Sequence, residues 1–257
     1  KAFPLSKISI GVGDWAKGLL ENNPDVDQVH NVNAPWHNKQ NCRYPANSPQ
    51  TFLEGMLYVL LSKEVRMLRK KAFSHGIDVL GSRQGSWLLL GARIPNRLGV
   101  KGYAGGHDWC KAYVHFKEDR KVSQAALGFL TLLDADSNVE PRPKIFLSEE
   151  EIEKGNRKWG GNLKKAKRIV IAPGSGFPEK NWGNENYTAL TKMIAHRTNH
   201  EVLIIGDLGD RDKIKSSEIE NESQVKCLCG ETSIRETAAI IRASNITVTN
   251  SSVAMHI

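Results

Sequence analysis

Cysteine is scarce: the 257-residue chain has four, Cys42, Cys110, Cys227 and Cys229, with no C-x-x-C pair and no repeated metal-ligand spacing. A reduced, cytoplasmic protein with no metal site is the simplest expectation. No apolar run is long enough to span a bilayer, and the first residues lack the pattern of a signal peptide, so any membrane contact is expected to be peripheral. No Gly-Lys-Ser/Thr triplet closes a P-loop, and no GxGxxG spacing marks a dinucleotide fingerprint. Acidic residues are the minority, 28 against 36 Lys and Arg, for a formal charge of +8. The excess calls for an anionic partner: nucleotide, phosphorylated sugar, acidic lipid surface or nucleic acid. Nucleic acid is set aside, because the cations are scattered and no recognition module is evident. The chain starts at Lys1 rather than Met and stops at Ile257 directly after a strand-and-loop pattern, so both ends are expected to be cut.

What is present centres on residues 168–182. Ile169 to Ala172 is an unbroken, mostly β-branched apolar run, which suits a parallel strand buried on both faces. Pro173 ends it. Gly174, Ser175 and Gly176 leave backbone N–H groups open, and a helix starting near Asn184 to Tyr187 turns its positive end toward them. Lys180 adds a mobile cation and Trp182 an aromatic that can pin the loop. This is a site for a phosphate; the competing reading is a glycine turn with a solvated lysine.

The first half reads β–α–β from Ile8 to Val32, then a polar, proline-bearing loop from Asn33 to Pro49. One helix is expected from Thr51 to Ala72, with Arg66, Arg69, Lys70 and Lys71 crowding its last turns, either as a solvated helix end or as a patch for acidic headgroups. Ile77 to Leu80 reads as a strand running into a second small-residue loop, where Arg83 and Ser86 are candidates to hold a second substrate. Residues 103–114 read as a loop, in which His107 beside Asp108 is better explained as surface than as a catalytic pair. A helix near 123–133, a proline-bounded strand at 141–147 and a helix opened by the Ser148-x-x-Glu151 capping box follow. Gly160-Gly161 and the basic run Lys164, Lys165, Lys167, Arg168 mark the expected boundary between domains 1–160 and 161–257.

Beyond it, helix and strand alternate strictly: helices at 186–197, 210–220 and 233–243, strands at 201–205, 225–228 and 246–248. That order implies a parallel sheet whose ligand lies beyond the carboxyl ends of the strands. Four polar loops fall there: 174–180, 207–210, 230–233 and 250–256. Their convergence favours the anion-site reading of the first. Asp210 is a candidate for a ribose hydroxyl or a plain helix N-terminal carboxylate. Thr232 and Ser233 either border a base or cap the following helix, and His256 either meets a phosphate or is structural.

Together, Pro173-Gly-Ser175 with Lys180 and Trp182, Leu203-Ile-Ile-Gly206 with Asp210, Gly230-Glu-Thr-Ser233, and Val248-Thr-Asn-Ser-Ser-Val-Ala-Met-His256 resemble glycosyltransferase family nine, the lipopolysaccharide heptosyltransferases. The likeness extends through Asp78-Val-Leu-Gly-Ser82 and Arg97-Leu-Gly-Val-Lys-Gly-Tyr103. It implies an α/β GT-B architecture, two Rossmann-like domains with parallel sheets facing a cleft. It further implies metal-independent, inverting transfer of heptose from ADP-heptose or another nucleotide sugar, without a cofactor, to an anionic glycolipid at the cytoplasmic face of the inner membrane. On that reading Gly174, Ser175, Gly176, Lys180, Asp210, Thr232, Ser233, Ser251, Ser252 and His256 bind the donor, Lys180 also stabilises the leaving group, and Arg83 and Ser86 face the acceptor. The family's base, an aspartate early in the first domain, is expected to precede Lys1, and Asp14 is not put in its place.

One loop departs from the family pattern, Asn-Asp-Ser/Thr-Gly-Pro-x-His. Ser251 stands where a carboxylate would hold sugar hydroxyls, and Val253 where a glycine could take positive φ. The alternatives are a sugar-nucleotide enzyme with another donor or acceptor, an epimerase-like activity among them, or a noncatalytic binding protein or inactive fragment.

Overall fold

The computed structural model describes residues 3–36, 41–45, 48–136, 138, 140–160, 166–214, 219 and 222–257. The chain divides into two compact units, Lys1–Lys17 with Pro24–Arg142, and Gly18–Asn23 with Pro143–Ile257. All named strand pairs in both are parallel, as the GT-B reading requires.

In the first unit β1 (Ser9–Val12) pairs with β2 (Gln28–Asn31). Next come helices α1 (Pro49–Leu61) and α2 (Lys63–Lys70), where the sequence led us to expect one. Ser62 makes the break: its backbone is extended, and its hydroxyl accepts from Val65 N, a capping bond that starts a second helix. β3 (His75–Ile77), helix α3 (Arg83–Gly91), β4 (Asn96–Lys101), β5 (Ala112–His115) and helix α4 (Val122–Thr131) follow, with a sheet ordered β3-β4-β5. β3 ends earlier than expected because the Asp78 carboxylate accepts from Leu80 N and Ser82 N and turns the chain. β5 corrects the reading of 103–114 as all loop; it lies beside β4, from Leu98↔Ala112 to Lys101↔His115. Residues 141–147 form no strand. Two prolines leave two backbone positions without a donor, and no neighbouring strand pairs there.

The second unit holds helix α5 (Glu149–Lys158), β6 (Arg168–Ala172), helix α6 (Asn184–Arg197), β7 (Glu201–Ile204), helix α7 (Leu208–Lys213), β8 (Val225–Cys227), helix α8 (Ile234–Arg242), β9 (Ile246–Thr249) and the single turn α9 (Val253–His256). The sheet order is β8-β7-β6-β9. Alternate residues of β6 enter different cores: Ile169 and Ile171 pack with Tyr187, Val202 and Ile204, while Val170 and Ala172 pack with Leu203, Leu228 and Ile240. The strand is therefore covered on both faces, as its unbroken apolar run requires.

α5 opens with the capping box expected at Ser148 and Glu151. It packs on α8 so closely that a Cβ at Gly155 would lie 2.6 Å from the Ala239 carbonyl. This packing assigns α5 to the second unit, so the division after Arg142 lies upstream of the expected boundary at 160–161. Gly161, Lys164 and Lys165, on which that expectation leaned, lie outside the described residues, as do 215–218 and 220 of the helix expected at 210–220. Among the described residues no helix is long and apolar enough to cross a membrane.

Candidate functional site

The strand order fixes where a ligand of the second unit belongs. From β6 the chain adds β7 and then β8 on one side, and then returns to place β9 on the other. The loops leaving β6 and β9 consequently diverge above their carboxyl ends, and that crevice is the binding position of open parallel sheets.

Asn250, the first residue after β9, spans the crevice. Its amide is buried and fully used: Oδ1 accepts from Trp182 N at 3.0 Å and from the Tyr187 hydroxyl at 2.8 Å, and Nδ2 donates to Pro173 O at 2.6 Å and Gly174 O at 3.5 Å. One side chain thus holds both ends of the 173–182 loop. Trp182 itself is 53% exposed, so it does not pin the loop from beneath; its ring meets Tyr187 edge-on at 5.1 Å. Sequence reasoning quoted Asn250 as the first residue of the 250–256 loop but gave it no role, because nothing local shows that its amide bridges two loops.

Of the predicted donor residues, Gly174, Ser175, Gly176 and Lys180 share this loop. The Ser175 hydroxyl closes a local turn, donating to Phe177 O at 2.8 Å and accepting from Phe177 N at 3.3 Å. A Cβ at Gly176 would meet nothing within 4 Å, so there is space beside its Cα. Lys180 Nζ lies 5.1 Å from the Phe177 ring centroid, at the edge of the loop. α6 starts behind it with Gly183 at φ 107° as an N-cap that gives no side-chain bond to the first turn, where Glu185 is the one acidic residue.

Asp210 has a different position from a ribose acceptor in open solvent. It is 5% exposed and forms the α7 capping box, accepting from Asp207 N at 3.1 Å while Asp207 accepts from Asp210 N at 3.0 Å. A Cβ on Gly174 or Gly206 would stand 2.5 or 2.6 Å from the Asp210 carboxylate, which accounts for both glycines: they let two loops close over one carboxylate. Ser233 caps α8 in a box with Glu236, and the Thr232 hydroxyl faces that of Thr237 at 3.0 Å. Ser251 is exposed, Ser252 Oγ lies 3.2 Å from Thr249 Oγ1, and His256 is exposed at the end of α9. Val253 opens α9 and is absent from the residues with positive φ, so the bulk of this valine changes the loop without backbone strain.

The acceptor candidates of the first unit part company. Arg83 pairs with Asp108 at 2.6 Å, and Ser86 is fully buried, its hydroxyl donating to Arg83 O at 2.8 Å. His107 stays 3.9 Å from Asp108 and packs edge-on against Tyr113 at 5.8 Å, so the two neighbours form no catalytic pair. Neither Arg83 nor Ser86 lines the cavity of about 530 Å³ beside α1, whose walls include Asn33, Asn41, Arg43, Glu54 and Tyr58. Glu54 Oε2 and Asn41 Nδ2 find no hydrogen-bond partner among the described residues. Asn33 ties the cavity floor together, donating to Glu64 at 2.8 and 3.1 Å and to Asp14 at 2.9 Å. Burial and then the Glu64 carboxylate push the Tyr58 phenol well above its ordinary range, so this floor is polar and uncharged at Tyr58.

Comparisons with known proteins find the same fold. The profile of glycosyltransferase family 9 (heptosyltransferase) matches residues 62–257. The chain is 23% identical, over 99% of its own length and 71% of the relative's, to lipopolysaccharide heptosyltransferase 2 of Salmonella typhimurium. Among solved structures, E. coli ADP-heptose lps heptosyltransferase II superposes with a TM-score of 0.68 at 20% identity, over 99% of this chain and 72% of that one. E. coli heptosyltransferase WaaC with ADP-2-deoxy-2-fluoro heptose gives 0.70 at 14% identity, over 98% and 75%. A family 9 glycosyltransferase of Veillonella parvula gives 0.70 at 17%, over 98% and 68%.

Proposed function

Because the chain belongs to glycosyltransferase family 9 and is a glycosyltransferase, we propose that it transfers heptose from ADP-heptose to a lipopolysaccharide-type acceptor by metal-independent, inverting displacement, in peripheral contact with the cytoplasmic face of the inner membrane. The observation that carries the reading is the 173–182 loop, held across the β6–β9 crevice by Asn250, with space beside the Gly176 Cα and Lys180 at its edge. An acceptor hydroxyl attacks the anomeric carbon opposite the diphosphate and gives its proton to the carboxylate base that the family resemblance implies; the anomeric C–O bond breaks and its electron pair departs with ADP. Charge grows on the diphosphate in the transition state, so donors fixed beforehand are what the protein supplies. The α6 end, the loop N–H groups and Lys180 are those donors. Release of ADP and heptosylated product from ADP-heptose and an inner-core acceptor, at equal rates with and without EDTA, tests the proposal; no product, or a rate abolished by EDTA, overturns it.

Lys180→Ala is expected to weaken ADP binding by about 1–3 kcal/mol, the scale of one charge-assisted hydrogen bond. Calorimetry at low salt checks it, and equal affinities would remove Lys180 from the site.

The exposed Ser251 and the helical Val253 favour a second reading of the donor, in which the sugar is not heptose. A carboxylate accepts sugar hydroxyls at about 1.5–3 kcal/mol each, against about 0.5–1.5 for a neutral serine contact. If heptose is the donor, Ser251→Asp with Val253→Gly strengthens ADP-heptose binding more than ADP binding. An equal gain for both ligands, or none, drops heptose in favour of another sugar.

A further inference from the structure

Helix α1 takes no part in the chemistry above, yet it carries six exposed large apolar side chains: Phe52 at 42%, Leu53 at 51%, Met56 at 38%, Leu57 at 45%, Leu60 at 62% and Leu61 at 66%. Their spacing repeats in pairs every four residues. At about 100° per residue these positions cover roughly half the helix circumference as one continuous stripe. The helix is fully accounted for on its remaining arc: Thr51, Gly55 and Val59 are buried, and Glu54 and Tyr58 turn to the cavity. Phe52, at one end, packs edge-on against Trp87 at 5.0 Å; the other five are surplus to the core of the unit, and a contiguous apolar surface of that kind on a folded protein marks an interaction site.

What it fits is decided by the charges beside it. Ser62 joins α1 directly to α2, where Lys63, Arg66 and Lys70 are exposed, as is Lys71 just beyond, with Met67 at 60% among them. No acidic residue occurs from Gly55 to Lys63. The one that follows, Glu64, has its carboxylate engaged by Tyr58 and Asn33. An apolar stripe bordered by cations matches the boundary between acyl chains and anionic headgroups. A second copy of this chain would bring the same positive border and no acidic one to meet it. Leu57 also lines the cavity, so the stripe runs up to its mouth.

We propose that the α1 stripe is the surface on which this protein lies against an anionic bilayer, with the α2 cations on the lipid headgroups. The inference deepens the membrane contact in the proposed function and rests on that reading for its purpose, but its test is separate. Co-sedimentation is measured with phosphatidylcholine vesicles with and without phosphatidylglycerol. Wild type binds the anionic vesicles about tenfold more tightly, Lys63→Glu with Arg66→Glu erases that preference, and Leu60→Glu with Leu61→Glu weakens binding to both about tenfold or more. Circular dichroism and unchanged ADP affinity establish that the variants are folded. Transfer to a water-soluble, deacylated acceptor stays at the wild-type rate in the leucine variant, while transfer to a vesicle-embedded acceptor falls. Vesicle binding that is absent in wild type or equal in the leucine variant overturns the proposal. So does a wild-type dimer, seen by analytical ultracentrifugation, that the leucine variant dissociates. Vesicle binding as expected with no transfer to either acceptor would overturn the transferase reaction and leave the docking surface standing.

Discussion

Arg235→Ala is expected to lower the unfolding free energy by about 3–5 kcal/mol, the cost of breaking a buried, fully bonded ion pair from one side. The Arg235 side chain is only 9% exposed and sits at the start of α8. It donates to both carboxylate oxygens of Glu151 at 2.5 and 2.7 Å, to Phe146 O at 2.8 Å and to Gly18 O at 2.7 Å. It therefore binds the 18–23 segment, the extended 143–147 segment and α5 to one helix of the second unit. Removing it leaves Glu151 partly buried without its cation and two carbonyls without donors. Urea denaturation followed by tryptophan fluorescence measures the loss; a change under about 1 kcal/mol would mean that those segments are held by packing alone.

The same pair sets an acid limit. The Arg235 hydrogen bond outweighs desolvation and, helped by Ser148, holds the Glu151 carboxyl down at about 2 against its ordinary 4.5. A carboxyl held below its unfolded value adds stability that is fully present above pH 4.5 and is lost as pH falls toward 2. With Glu151 26% exposed, solvent screening reduces that share to about 1–2 kcal/mol. Glu151→Gln should accordingly flatten the acid limb of the stability curve over that window and leave its shape near neutrality unchanged.

Asn250→Ala is expected to weaken ADP binding by about tenfold to a hundredfold and to destabilise the chain by about 2–4 kcal/mol. The substitution orphans Trp182 N, the Tyr187 hydroxyl and Pro173 O at once, two of them inside a packed region. The two losses have different origins: stability falls because polar groups are left buried and unpaired, and affinity falls because the 173–182 loop is no longer fixed before ADP arrives. Asn250→Asp separates them, since a carboxylate keeps both acceptor bonds but cannot donate to Pro173 O. It should cost stability while keeping the Trp182 end of the loop in place. Calorimetry with ADP on both variants, beside their denaturation curves, checks this. Unchanged ADP affinity in Asn250→Ala would move the nucleotide away from the β6–β9 crevice.

How much of this was legible beforehand follows from the reach of each signal. The β6 strand, the helices at 186–197 and 233–243, the strands at 201–205, 225–228 and 246–248 and the capping box at Ser148 all rest on patterns within a few residues, and their positions agree with the structure to within about two residues. The break at Ser62 was missed because an apolar period continues across it, while a single serine hydroxyl decides that two helices form. β5 was missed because Ala112–His115 is short and half-buried and becomes a strand only by lying beside β4.

By itself, then, the sequence determined a parallel α/β chain with a phosphate-sized loop after its most apolar strand, because periodicity, proline and glycine act on the backbone nearby. Tertiary structure alone decided which residue closes the site and which one ties the segments of the second unit together. Asn250 meets partners 63 to 77 positions earlier, and Arg235 meets partners 84 to 217 positions away. No local pattern distinguishes such an asparagine or arginine from one on the surface. A buried amide or guanidinium acquires its role only when distant segments fold around it and leave it no water to bond.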